Sequence, residues 1–157
     1  PIDKAVPILS CYGKNVHLNG KAGNGQHTKM MNQIVLAGNM VGVVEGLMYA
    51  SKMGLDVVQS IETIKTGAAS SVPLTVLGPR MIARNFDPGF YVEHYIKDLE
   101  IALEECLRAD LCLPNIALVK QFYVALKAQG GGKMGTQALI KVFEQMNNHQ
   151  ISKEVPK

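Results

Sequence analysis

The chain has 157 residues, 47% of them hydrophobic, which is enough for one domain with a sizeable core and too short for two ordinary ones. Sixteen Lys and Arg against 13 Asp and Glu leave a formal charge of +3 with no run of five or six basic residues, so composition argues against a nucleic-acid surface and for small molecules or other subunits as partners. Three cysteines, Cys11, Cys106 and Cys112, form no CxxC and leave an odd thiol, which suits a reducing compartment, the cytoplasm or one such as the mitochondrial matrix.

The sequence starts at Pro1 and shows no charged-then-apolar leader, so we expect a piece of a longer protein. Residues 1–12, PIDKAVPILSCY, read as a short helix with Ile2, Val6 and Leu9 on one side and Pro7 as a break. KNVHLNG follows as the single plausible strand, over 15–19, and a lone strand has to pair outside this chain or stay irregular. From Gly25 to Met53 the pattern is one long helix, with Gly54 ending it and Asp56 capping the next, VVQSIETIKTG. Its middle, residues 34–50, is apolar nearly all round. Asn39 and Glu45 interrupt that run before it reaches the roughly 20 residues of a membrane span, so a buried central helix is expected and no membrane partner. Gly38, Gly42 and Gly46 recur every four residues and would let another helix approach closely, at about 1 kcal/mol per glycine.

A further helix is expected from Ser70 or Ser71, with Pro73 in its first turn, toward Arg84. After the turn-rich NFDPGF come an amphipathic helix over 91–109 and another over Asn115–Gln129. The glycines at 130–132 read as a flexible hinge. TQALIKVFEQMNN reads as a last helix with Leu139, Val142, Phe143 and Met146 on one face, before the polar tail HQISKEVPK. The expected fold is therefore all-α: a single domain over 1–157, a helical bundle around one long central helix with at most one short strand near 15–19.

HLNGKAGNGQHTKMMNQ, residues 17–33, is the stretch with chemical content. A Walker loop needs its lysine directly after the last glycine, whereas Lys29 comes four residues after Gly25 and no Ser or Thr follows it. A dinucleotide fingerprint needs a third glycine where Thr28 stands, and an acidic residue at a strand end where Glu45 and Asp56 are helical. Neither template fits. What remains is Lys29, Asn32 and Gln33 at i, i+3 and i+4 on one face near a helix N-terminus, where three polar groups can converge on a small ligand. The helix dipole and partial burial would both favour the neutral amine, as a general acid/base requires. On these residues alone, a solvated lysine beside two amides on an exposed first turn is the favoured reading. The histidines show no metal-ligand spacing, and His94 reads as structural.

The pattern Gly20-x-x-Gly23-x-Gly25-x-x-x-Lys29-x-x-Asn32-Gln33 resembles the second-domain signature of the 3-hydroxyisobutyrate dehydrogenase family of β-hydroxy acid dehydrogenases, whose C-terminal domain is 6-phosphogluconate dehydrogenase-like. FDPGFYVEHYIKDLEIALEE is similar to the family's Phe...Lys-Asp-Leu segment, and the resemblance spans essentially the whole chain. It implies a helical C-terminal domain that packs against an N-terminal Rossmann domain, absent here, which binds most of the NAD or NADP.

Carried onto this sequence, the resemblance implies that Lys29 is the catalytic lysine and that Asn32 and, with its longer side chain, Gln33 hold the substrate. Gly20, Gly23 and Gly25 would shape the loop into the helix, Lys97 would approach the cofactor, and Asp98 and Phe90 would line the substrate side. The implied activity is hydride transfer to or from a small β-hydroxy acid or semialdehyde, without a metal. The isolated fragment is expected to be inactive. The implied partners are a small carboxylate, the chain's own Rossmann domain and further copies in a dimer or tetramer. The alternative is a non-catalytic helical dimerisation or binding module with the same fold.

Overall fold

A computed structural model of the chain describes residues 2–151. Seven α-helices account for most of them, and there is no strand among the described residues: α1 (Ile2–Leu9), α2 (Asn24–Lys52), α3 (Val57–Ile64), α4 (Gly78–Ile82), α5 (Val92–Arg108), α6 (Pro114–Ala128) and α7 (Ile140–Asn147). Pro7 lies inside α1 without splitting it. The expected strand over 15–19 does not form, and that stretch is irregular.

The central helix is α2. Ala37, Met40, Val44 and Leu47 repeat at three- and four-residue steps and are all buried, giving a ridge that packs against α5 and α6. The helix is long and apolar enough to cross a membrane, yet half of its most apolar stretch is buried inside the bundle. It is not buried all round, as its composition suggested. Gly42, Glu45, Gly46 and Tyr49 face outward, because the helices packed on α2 enclose only one side of it. Gly54, at φ 75°, turns the chain out of the helix, and Asp56 caps α3 by accepting hydrogen bonds from the Val58 and Gln59 amides at 2.8 and 3.0 Å.

The helix expected from Ser71 to Arg84 exists in two parts. Ser71 Oγ accepts from the Leu74 amide, and a π-helical turn over Pro73–Leu77 runs straight into α4. Pro79 has no N–H to offer the carbonyl four residues back, so the ladder widens and the Gly78 amide bonds Pro73 instead. Arg84, at φ 58°, ends the segment.

Tyr95 and Leu99 of α5 meet Tyr123 and Leu126 of α6 in the core, with the Tyr95 and Tyr123 rings edge-on at 5.0 Å. The glycines at 130–132 are not a hinge. Gly131 is buried, a β-carbon there would fall 2.7 Å from Leu126 Cδ1, and residues 131–133 form a tight 3₁₀ turn. Leu139, at the end of a 3₁₀ turn over Thr136–Leu139, and Val142 and Phe143 of α7 are buried as expected, but Met146, in the last turn of α7, is exposed. The start of the tail is also docked: Ile151 is buried and its amide donates to Glu144, while His149 Nε2 and Ser51 Oγ are 2.8 Å apart. The remainder of the expected polar tail, residues 152–157, lies outside the described residues.

Candidate functional site

Two glycines set the approach to α2. Gly20 and Gly23 have φ of 93° and 94°, a region that costs an L-residue about 1–2 kcal/mol, and Gly23 is the residue from which α2 starts. Gly25 is already helical. Lys29 follows in the second turn and lies exposed rather than partly buried, with its ammonium 6.0 Å from the centroid of the Phe90 ring.

Phe90 reaches that position because its loop is clamped. The Gly135 amide donates to the Phe86 carbonyl at 2.8 Å, and the Thr136 amide donates to Phe90 at 3.0 Å. The buried Gln137 amide donates to the Asn85 and Asp87 carbonyls, both at 3.0 Å. The Phe90 ring then leans on Tyr95, centroid to centroid 5.4 Å.

Beneath Lys29, α2 and α5 are joined by a polar network. Asn32, exposed, donates from Nδ2 to Gln33 Oε1 at 3.0 Å, and Gln33 Nε2 donates to Asp98 Oδ2 at 2.7 Å. The other Asp98 oxygen is 2.7 Å from Lys97 Nζ. Gln33 is 0% exposed and Asp98 8%, so both side chains sit within the core, where each polar atom needs a partner. Expected as substrate contacts, they spend these hydrogen bonds inside the protein. The Tyr95 hydroxyl donates to the Gln33 main-chain carbonyl at 2.9 Å, and burial, helped by the Asp98 carboxylate, pushes that phenol well above its ordinary value.

Lys29, Asn32, Gln33, Phe90, Lys97 and Asp98 are thus gathered where α2 crosses α5. His94 is not part of the group; it stacks edge-on against Tyr91 at 5.2 Å. Nearby, the Lys133 ammonium holds the half-buried Glu93 carboxyl below its ordinary value by a hydrogen bond. Tyr95 and Gln137 are the members that sequence reasoning did not single out. Gln137, a lone amide ahead of the apolar ALI run, carried a faint signal. Among the described residues, no cluster of His, Cys, Asp or Glu could hold a metal ion.

A cavity of about 620 Å³ lies along the other side of α2, bordered by Gly38, Gly42, Gly46, Leu55, Ile64 and Leu74. No group of the Lys29 site lines it. Gly42 and Gly46 face open space, with nothing within 4 Å of a β-carbon built at either, whereas one at Gly38 would fall 3.2 Å from Asn115 Nδ2.

Residues 23–143 match a family model described as NAD-binding of NADP-dependent 3-hydroxyisobutyrate dehydrogenase. The chain is 51% identical over 145 residues to the probable 3-hydroxyisobutyrate dehydrogenase-like 1, mitochondrial, of Arabidopsis thaliana, covering 92% of this chain and 43% of that protein. It is 39% identical over 150 residues to the 2-hydroxy-3-oxopropionate reductase of Escherichia coli (strain K12), covering 96% of this chain and 51% of that protein. The fold superimposes with a TM-score of 0.83 on the Mycobacterium tuberculosis 3-hydroxyisobutyrate dehydrogenase solved with L-serine, at 22% identity, covering 90% of this chain and 51% of that one. The chain belongs to the 3-hydroxyisobutyrate dehydrogenase family, an NAD(P)-dependent group of oxidoreductases, and spans about half the length of the curated relatives it matches.

Proposed function

We propose that this chain is the C-terminal catalytic half of an NAD(P)-dependent dehydrogenase of a small β-hydroxy acid or its semialdehyde, with Lys29 as the general acid/base. The reading rests chiefly on one observation: Lys29, Asn32 and Phe90 meet Lys97 and its buried Asp98 partner at a single helix crossing. The names of the relatives, a hydroxyisobutyrate dehydrogenase and a hydroxy-oxopropionate reductase, favour a small carboxylate with a hydroxyl or carbonyl nearby.

The loop before α2 has no phosphate-binding pattern, so these residues fit a cofactor held mainly by a separate Rossmann domain, toward which Lys97 would reach. When bound, NAD(P) supplies the hydride acceptor or donor. In oxidation, neutral Lys29 Nζ takes the hydroxyl proton as the substrate carbon gives up hydride; in reduction, the ammonium returns a proton to the carbonyl oxygen. The Asn32 amide orients the substrate, and the Phe90 ring walls the lysine's side of the cleft.

The isolated 157 residues then carry the proton-transfer lysine without the hydride carrier and show no turnover. In the complete protein, Lys29→Ala lowers kcat by about 10²-fold or more with 3-hydroxyisobutyrate or 2-hydroxy-3-oxopropionate, while the dissociation constant for NADPH, read by fluorescence titration, stays nearly the same. Lost NADPH binding with preserved turnover would refute the assignment.

A second copy of the chain is the proposed occupant of the cavity on the far side of α2. Tyr49, Met53, Leu55, Val72 and Val76 are exposed apolar side chains on the elements that border it, and the glycines allow close helix approach. A cytoplasmic or mitochondrial-matrix location fits the free thiols.

A further inference from the structure

We infer that Gln33 and Asp98 are positioning residues that form a buried tether, coupling Asn32 on the substrate side to Lys97 on the cofactor side. The names of the two sides rest on the dehydrogenase reading; the coupling does not.

The chemistry fixes the direction of every link. An ionised carboxylate only accepts, so the Gln33 amide has to present its NH₂ to Asp98 and its carbonyl oxygen to Asn32; a flipped amide would set oxygen against oxygen and nitrogen against nitrogen. Asn32 therefore donates to Gln33, Gln33 donates to one oxygen of Asp98, and Lys97 donates to the other. Two side chains span α2 to α5 across 65 residues of sequence. Both are enclosed, whereas the residues at the two ends, Asn32 and Lys97, are exposed and available to ligands.

Each bond polarises the next in a low-dielectric setting, so a change at one end alters the donor strength felt at the other. The Gln33 backbone is itself held by the Tyr95 hydroxyl, which fixes the point from which the side chain reaches, and the amide is held at both ends by Asn32 and Asp98. Length matters too. Gln33 reaches α5 from α2, and Asn at the same position is one methylene shorter.

The test uses the 157-residue chain, isotope-labelled, and the side-chain amide signals of Asn32 and Gln33 in a nitrogen–proton correlation spectrum. Lys97→Met removes an ammonium that touches neither amide, and is expected to displace both signals. In a Gln33→Met background, the same change is expected to leave the Asn32 signal in place. Gln33→Asn breaks the tether while keeping an amide, and is expected to uncouple Asn32 as Gln33→Met does.

A purely structural buried pair would alter the unfolding midpoint in these variants without moving Asn32 in response to Lys97. An Asn32 signal unmoved by Lys97→Met in the native background, with the rest of the spectrum intact, overturns the tether. So does a displacement that persists unchanged in the Gln33→Met background. Neither result bears on Lys29, so failure of the tether and failure of the dehydrogenase reading are told apart by this spectrum and the Lys29→Ala kinetics.

Discussion

Tyr95 shows how much one buried hydroxyl can be asked to do. It donates to Gln33, supports Phe90 and meets Tyr123, whose own hydroxyl donates to the Thr136 carbonyl at 3.1 Å. Tyr95→Phe should destabilise the fold by about 0.5–1.5 kcal/mol, the usual net worth of one such bond, in urea denaturation at neutral pH. Burial raises both phenols above the ordinary 10.0, so the folded state keeps them protonated after the unfolded chain has begun to ionise. Their contribution is whole below about pH 10 and is lost as pH climbs from there toward the raised folded values. Urea midpoints measured from pH 8 to 11 should fall above pH 10, and less steeply in Tyr95→Phe; equal slopes would refute this. That Lys29 and Asn32 share one helical face was legible because their spacing is local, three residues along one helix. The pairing of Gln33 with Asp98 was not, since it joins residues 65 apart and depends on how α2 crosses α5.

At the level of elements, local chemistry set the boundaries well. Asp56 read as a cap and caps α3, and α2 begins and ends within one residue of where its glycines pointed. Asp56→Ala should cost about 0.5–2 kcal/mol in thermal or urea unfolding while leaving the Lys29 site undisturbed, because the cap lies on the cavity side of α2. What sequence pattern could not supply was the response of one element to another. The π-helical turn follows from Pro79 withholding a hydrogen bond within an otherwise helical stretch, and Met146 lies exposed in the last turn of α7 although it shares a face with the buried Val142 and Phe143. The three glycines at 130–132 suggested mobility from composition alone. Gly131 packs on Leu126, and the turn leads into residues 135 and 136, whose amides bond the Phe86 and Phe90 carbonyls.

The whole molecule has two faces with different demands. On one, α2 and α5 present charged and amide groups; on the other, a glycine-floored cavity of about 620 Å³ is ringed by apolar side chains. The all-helical bundle was foreseen, as was the central place of α2, but an apolar helix read as buried all round proves to be half covered within the chain. If a second copy covers that half, size-exclusion chromatography with light scattering should give at least twice the monomer mass, and Gly42→Leu together with Gly46→Leu should shift it toward one copy. A monomer before substitution would remove the proposal.

Proton transfer by Lys29 is open to amine rescue. In the complete protein carrying Lys29→Ala, kcat with 3-hydroxyisobutyrate and NADP should collapse and then rise with added methylamine, because a free amine can occupy the vacated space and take the hydroxyl proton. Near-native turnover of Lys29→Ala without any amine would rule out Lys29 as the proton-transfer group.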